Sequence, residues 1–229
     1  MILIEFNGLP GSGKTTTMKQ LQNGLELQGL RVDTLTSALM KLGKARRVFY
    51  KALYGRNSFD GISSIVNANR LDSDQCRRSI QAIDRIYKEY MAIIHGCKGL
   101  DICLIDQGLL QGILSVFHDK NIVEVDGISA FFHDVHQKFP NLIEINGQSP
   151  VELAVERIVN RHQQGVNAGR LDKLSGESLV SCMKIQAGNL NILREAAMQY
   201  IECIDVDLTK QPMDNSKTLI NELWKREPV

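Results

Sequence analysis

The sequence predicts an α/β protein in which a five-stranded parallel sheet lies between two layers of helices. Five short runs rich in Ile, Leu and Val alternate along the chain with longer segments whose apolar residues recur every three or four positions. Such alternation is typical of βαβ units, whose crossover helices cover both faces of a parallel sheet. The predicted strands are residues 2–6, 31–36, 102–106, 142–146 and 200–206.

The connections between these strands are predicted to be mostly helical. Apolar residues recur at helical spacing in residues 16–28, 74–94, 151–161 and 179–198. Two other segments, 37–73 and 161–176, are polar and interrupted by glycine, which is typical of binding loops and lids. We therefore expect a ligand-binding insert near 37–75 and a lid near 157–176. Since no repeat or Pro/Ser-rich linker interrupts the chain, a single domain over residues 1–229 is predicted.

The composition argues against a global attraction to nucleic acid or to an acidic membrane. Lys and Arg number 27 against 26 Asp and Glu, so an anion site must be local. The five cysteines are odd in number, scattered and without a CxxC pair, which favours a reducing cytoplasm over a disulfide framework or zinc site. The chain begins without the basic region of a secretion signal, and no apolar stretch approaches the length of a membrane span. We expect a cytoplasmic protein without a membrane partner.

The segment GLPGSGKT, residues 8–15, fits the pattern G-x4-G-K-[ST] between a predicted strand and a predicted helix. Glycines and a helix N-terminus expose backbone N–H groups as an anion nest, where Lys14 adds charge for the β- and γ-phosphates and the Thr15 hydroxyl can ligate Mg²⁺. An ordinary glycine-rich turn is the alternative, but the strand-to-helix context favours phosphate binding. The predicted site for ATP and Mg²⁺ comprises Gly8, Pro10, Gly11, Ser12, Gly13, Lys14, Thr15 and Thr16.

A second set of candidate residues lies at later strand and helix ends. Asp106 ends the third predicted strand, where it can hold Mg²⁺ or accept the proton of an attacking hydroxyl; a plain helix N-cap is the alternative. Guanidinium groups are suited to clamping a moving phosphoryl group, although cations also favour helix C-termini for electrostatic reasons alone. The candidate arginines are Arg157, Arg161 and Arg170.

Several motifs together resemble the nucleoside monophosphate kinases among P-loop proteins, and thymidylate kinases most of all. They are NANR (67–70) before a long helix, LIDQG (104–108) at a strand end, and RIVNR (157–161) with RLD (170–172) in the lid. The tail CIDVDLTKQPMDNSKTLINELW (203–224) resembles that family's last strand, adenine-side loop and closing helix. The likeness covers nearly the whole chain and is weakest in 37–66. It implies a three-layer P-loop NTPase fold.

The resemblance also implies roles for individual residues. Arg70 would grip the phosphate of the acceptor, and Asp106 would work at the reacting centre. The loop near Asp207 would border the adenine of the donor. The lid arginines would close over the transferring phosphoryl group, and these are Arg157, Arg161 and Arg170.

Two glutamines depart from the family pattern at the acceptor side. Gln107 stands where the family has an arginine that helps to hold the acceptor phosphate, and Gln111 replaces a small polar residue one turn later. A glutamine lacks the charge and the bidentate fork of a guanidinium group. The acceptor is therefore expected to carry a different phosphate arrangement, or none.

The expected function is ATP- and Mg²⁺-dependent phosphoryl transfer to a small acceptor, with a nucleoside monophosphate as the first hypothesis. A kinase for a nucleoside, sugar or antibiotic is the alternative within the class, and a non-kinase P-loop switch or NTPase is the alternative outside it. The lid arginines argue against the switch.

The basic, aromatic-containing stretch 41–56 is open to three interpretations: a nucleic-acid contact, a wall of the acceptor pocket or a solvated helix. Nucleic acid is not the expected partner, and a homodimer is left open.

Overall fold

The computed structural model describes residues 1–54, 65, 73–117, 120–165, 171 and 174–225. The strands are β1 (Ile2–Gly8), β2 (Val32–Thr34), β3 (Ile102–Ile105), β4 (Leu142–Gln148) and β5 (Glu202–Asp207). The described helices are α1 (Lys14–Leu27), α2 (Leu35–Leu42), α3 (Lys44–Tyr54), α4 (Ser73–Gly96), α5 (Leu109–Val116), α6 (Asp126–Lys138), α7 (Val151–Gln163), α8 (Gly176–Ala197) and α9 (Pro212–Trp224).

The five strands form one parallel sheet in the order β2-β3-β1-β4-β5, as the sequence predicts. Successive side chains of a strand point to opposite faces, so the residues of β1 divide between two cores. Ile4 and Phe6 pack in a core with α1 and α9, while Leu3 packs in a core that includes α4, α5, α6 and α8. The predicted three-layer α/β/α fold is therefore confirmed.

The described part of the segment 37–73 is more regular than predicted, because α2 and α3 occupy most of its first half. Thr34 caps α2 by accepting a hydrogen bond from the Ser37 N–H at 3.3 Å, and Gly43 ends it with φ 78°. None of the side chains of α3 is buried, so its apolar residues Val48 and Phe49 lie exposed among Lys and Arg.

Most predicted boundaries lie within a few residues of the observed ones. The largest discrepancy is the start of α8, predicted at residue 179 and observed at Gly176. β2 also ends earlier than predicted, at Thr34 rather than residue 36, because α2 begins at Leu35. Among the described residues, no helix is both long and apolar enough to cross a membrane. The single-domain prediction stays a prediction.

Two glutamates lie fully buried side by side in the sheet. Glu5 on β1 is in register with Glu144 on β4. Glu5 accepts hydrogen bonds from the Tyr90 hydroxyl and the Leu110 N–H, both at 2.9 Å, whereas neither carboxylate oxygen of Glu144 has a hydrogen-bond partner. Burial raises the pKa of Glu5 to about 7, and it also raises the pKa of Glu144, with the charge of Glu5 acting in the same direction.

We predict that replacing Glu144 by Gln weakens the pH dependence of stability. A carboxyl group with a raised pKa in the folded state binds more protons there than in the unfolded chain, so the free energy of unfolding falls as pH rises from 5 to 8. Glu144→Gln removes one such group and should reduce this loss by about 1 kcal/mol or more. Urea denaturation of both proteins at pH 5, 6.5 and 8 measures the free energy of unfolding and so the difference between the two pH profiles.

Glu195→Gln on the exposed surface of α8 is the matched control and should leave the wild-type pH profile unchanged. Parallel pH profiles for Glu144→Gln and wild type would contradict the prediction.

Candidate active site

The phosphate-loop backbone depends on three glycines with positive φ: Gly8 at 146°, Gly11 at 77° and Gly13 at 107°. A Cβ at Gly8 would lie 2.6 Å from the Gly147 carbonyl oxygen, and one at Gly11 would lie 2.7 Å from the Ala154 carbonyl oxygen. Other residues would therefore collide with backbone at both places. The loop ends at Gly13, which precedes α1 and has no side chain to cap it, so the first N–H groups of α1 are available to an anion.

Lys14 folds back into this loop. Its ammonium group donates hydrogen bonds to the carbonyl oxygens of Gly8 and Leu9, both at 2.9 Å, and the residue is only 9% exposed. Burial lowers the pKa of Lys14 to about 8, although the charge of Asp106 acts in the opposite direction. The ammonium group thus lies at the loop, and its contact with bound phosphates stays a prediction.

Thr15 and Asp106, the two predicted metal ligands, lie in direct contact. The Thr15 hydroxyl donates a hydrogen bond to Asp106 Oδ2 at 2.8 Å, although the residues are 91 positions apart in the chain. Thr15 lies in the first turn of α1, and Asp106 follows the last residue of β3. Hard oxygen ligands of this kind fit Mg²⁺, which proteins commonly hold through one or two carboxylates together with substrate phosphates.

Two of the predicted lid arginines lie near the loop. Arg157 donates hydrogen bonds from Nη1 to the carbonyl oxygens of Ser12 and Gly11. Arg161, one turn further along α7, lines the same cavity as the phosphate loop. The remaining candidate arginines, Arg170 and Arg70, lie outside the described residues, so their roles stay predictions.

A single cavity of about 1290 Å³ extends from the phosphate loop past Asp106 to α4 and α5. Its far end is lined by Gln107 and Gln111, the two predicted acceptor-side residues, together with Arg85 and Glu89 from α4. Pockets for one small ligand usually measure about 300–1,000 Å³, so this cavity has room for two. None of the described residues of the predicted insert, 37–75, lines this cavity. The lining residues next to the insert are 34–36, at the start of α2.

Gln111 presents an unsatisfied acceptor at this end of the cavity. Its Oε1 atom is buried without a hydrogen-bond partner. A buried carbonyl oxygen without a partner is destabilising, and a donor on a bound molecule would satisfy it. Gln111 therefore leaves one acceptor without a protein partner at this end of the cavity.

Glu5 supports the acceptor end of the cavity, a role that the sequence analysis missed. By accepting the Leu110 N–H, it holds the first turn of α5, which carries Gln111. Gly108 permits this approach, since a Cβ there would lie 1.9 Å from the Glu5 carboxyl carbon. The signal in the sequence was a charged residue within an otherwise apolar strand, but its partners are distant in the chain.

Asp207, predicted to border the adenine, shapes the loop after β5. Its Oδ1 accepts hydrogen bonds from the Thr209 N–H at 3.0 Å and the Thr209 hydroxyl at 2.6 Å. These donors hold the pKa of Asp207 below its usual range. Thr209 lines the large cavity, whereas Asp207 lines a neighbouring smaller one. The assignment of Asp207 to the ATP site stays a prediction.

We predict that ATP affinity falls as pH rises above 8. Above pH 8 the Lys14 ammonium group is mostly deprotonated in the free protein, because its pKa is about 8. Bound phosphates would raise that pKa. ATP binding above pH 8 must therefore be accompanied by uptake of a proton. The Kd should rise by up to about tenfold per pH unit above 8. Calorimetric titration with a non-hydrolysable ATP analogue and Mg²⁺ between pH 7.5 and 9.5 measures this change.

Lys14→Arg is the control, since guanidinium stays charged over this range and its affinity, although weaker, should not vary with pH. A flat profile for the wild-type protein would contradict the proposed contact between Lys14 and phosphate.

Comparison with known proteins adds evidence for the fold. No protein-family model matches the chain, and no curated protein matches its sequence. Among solved structures, deoxyadenosine kinase from M. mycoides with bound dCTP aligns with 98% of this chain and 100% of that chain, at 16% identity and a TM-score of 0.50. The same enzyme with bound dATP aligns with 97% and 99%, at 17% identity and a TM-score of 0.50. The chain shares the fold of these proteins over almost its whole length.

Proposed function

We propose that this protein transfers the γ-phosphoryl group of ATP to a small acceptor of the nucleoside class. The observation that carries the proposal is the single large cavity with the phosphate loop at one end, the Thr15–Asp106 pair between, and two glutamines at the other end. A kinase needs donor and acceptor in one compartment, because phosphoryl transfer depends on in-line positioning and electrostatic stabilisation.

The donor end supplies positive charge and backbone donors. Lys14 and Arg157 lie at the loop, and Arg161 lines the same cavity, so bound phosphates would meet cations from two sides. Thr15 and Asp106 would hold Mg²⁺, which would neutralise negative charge on the bound phosphates. The hydrogen bond from Thr15 to Asp106 supports the metal-binding role for Asp106 over that of proton acceptor.

The acceptor end favours a nucleoside. Side-chain amides form paired hydrogen bonds with nucleobase edges, and the buried Gln111 Oε1 is free to accept one. Gln107 lacks the charge that would grip an acceptor phosphate. The structural neighbours described above are deoxyadenosine kinases, which supports the same class of acceptor.

A nucleoside monophosphate is the second candidate acceptor, because Arg85 lines the same end of the cavity. Arg70, if it lies where the sequence resemblance implies, would add a second cation. The structural neighbours do not single out thymidylate kinase, so thymidylate is one monophosphate among several to test.

A non-kinase switch is less favoured, since it needs no acceptor compartment. The cytoplasmic location and the homodimer stay predictions from sequence.

An assay of acceptors tests the proposal directly. We expect ADP release from MgATP to be slow without acceptor and stimulated at least tenfold by a nucleoside, in a coupled assay across nucleosides, nucleoside monophosphates and sugars. Lys14→Ala should lose this stimulation. Stimulation by monophosphates alone would establish the second candidate, and ATP hydrolysis indifferent to every acceptor would contradict the kinase proposal.

We predict that Gln111→Leu raises the KM for the acceptor about tenfold or more and changes the KM for ATP less than twofold. A leucine fills similar space but cannot pair with the acceptor, and one lost hydrogen bond to a buried group corresponds to about a tenfold change. Gln199→Leu is the control, because Gln199 is exposed and follows α8 away from the described lining of the cavity. Equal changes in both KM values for Gln111→Leu would remove Gln111 from the acceptor site.

A further inference from the structure

A second, smaller cavity lies between α8 and the carboxyl ends of β1 and β4. Its volume is about 570 Å³, and the loops after β4 and β5 complete its walls. Among the described lining residues it shares only Thr209 with the large cavity. Gln186 of α8 lines the large cavity, whereas Ala187, Leu190 and Arg194 line the small one, so the two cavities meet different parts of that helix.

Two buried carboxamides in the wall of this cavity have unsatisfied hydrogen-bonding atoms. Asn7 and Asn146 are in register on β1 and β4 and are 0% and 5% exposed. Neither the nitrogen nor the oxygen of either side chain has a hydrogen-bond partner. Asn146 lies beside the Cys203 thiol, but sulfur is a weak partner for an amide. Because buried amides are normally paired, two adjacent unpaired ones point to a molecule that the cavity receives.

The charges around the cavity favour a neutral ligand. Arg194 is the cation of the described wall, and it forms an ion pair with Asp205. Asp207 adds a carboxylate to the wall, so the site offers no surplus positive charge for a phosphate. The Arg194 Nε atom is buried and unpaired, which adds one more donor. Leu9 and Leu190 supply apolar surface beside these polar groups.

We propose that this cavity is a second binding site, separate from the phosphate loop, for a neutral nucleobase or nucleoside. Each asparagine offers one donor and one acceptor, which is the pattern that pairs with the adjacent donor and acceptor of a heterocyclic base edge. The volume lies in the range usual for small-ligand pockets, and the apolar surface suits a flat ring. A cluster of ordered waters is the competing occupant.

The test is a calorimetric titration of nucleosides and free bases into the full chain saturated with Mg²⁺ and a non-hydrolysable ATP analogue. Asn146→Leu keeps the side-chain volume and removes an unpaired amide, so it should fold and melt no lower than wild type. We expect it to weaken binding of the second-site ligand at least tenfold. Gln111→Leu, which alters the acceptor end of the large cavity, should change that affinity less than twofold.

A second pair of variants on α8 separates loss of the site from loss of the fold. Ala187→Phe places a ring into the small cavity from a half-buried position and should also weaken binding at least tenfold. Lys184→Phe makes a similar change at an exposed position of the same helix, outside the described lining of both cavities, and should leave the affinity unchanged.

Two results would overturn the proposal. The first is that no nucleoside or base binds beyond the acceptor site, which would leave water as the occupant. The second is that Gln111→Leu abolishes the binding of every nucleoside, whereas Asn146→Leu binds them with wild-type affinity. That result would assign all nucleoside binding to the large cavity. Failure of the proposed kinase function would appear separately, as ADP release that no acceptor stimulates.

Discussion

The close approach of Gly8 and Gly147 constrains the rest of the site. These residues are paired at the carboxyl ends of β1 and β4, where a Cβ on Gly8 would lie 2.6 Å from the Gly147 carbonyl oxygen. A Cβ on Gly147 would in turn lie 2.3 Å from a methyl carbon of Leu208, so three neighbouring chain segments meet without room for side chains. Because β1 and β4 end in contact, the phosphate loop lies against the first turns of α7, and Arg157 can reach the Ser12 carbonyl oxygen.

Polar groups concentrate on one face of the sheet near these strand ends, at the expense of stability. Glu5, Asn7, Glu144 and Asn146 alternate with apolar residues on β1 and β4, and three of the four lack hydrogen-bond partners on their side chains. Apolar burial on both faces of the sheet must offset the desolvation of these groups. Asn7 and Asn146 line the small cavity, and Glu5 accepts a hydrogen bond from the first turn of α5, the helix that lines the large one. Buried polar groups that carry such a cost often mark binding surfaces.

The sequence predicted the parts of the site that follow from residue spacing or from a general rule about parallel sheets. The loop 8–15 follows from spacing alone, and the pairing of Thr15 with Asp106 follows from the rule that ligands bind beyond the carboxyl ends of parallel strands. The contact between Glu5 and the start of α5, the register of Asn7 with Asn146, and the second cavity depend on strand order and packing. No spacing of residues encodes these long-range features. A solvated helix was one of three interpretations of the stretch 41–56, which contains α3. The contact of α3 with α4, where Tyr54 stacks on His95, is likewise long-range.

The central claim is that donor and acceptor occupy one cavity. The most direct measurement is the affinity of a bisubstrate analogue in which adenosine and a nucleoside are joined through a chain of phosphates, compared with that of ATP, by calorimetry with Mg²⁺ present. Joining the two ligands makes the second contact intramolecular, so the account predicts 1:1 binding about a hundredfold tighter than ATP or more. An analogue that binds no tighter than ATP would contradict it, because the acceptor moiety would then have no site within reach of the phosphate loop.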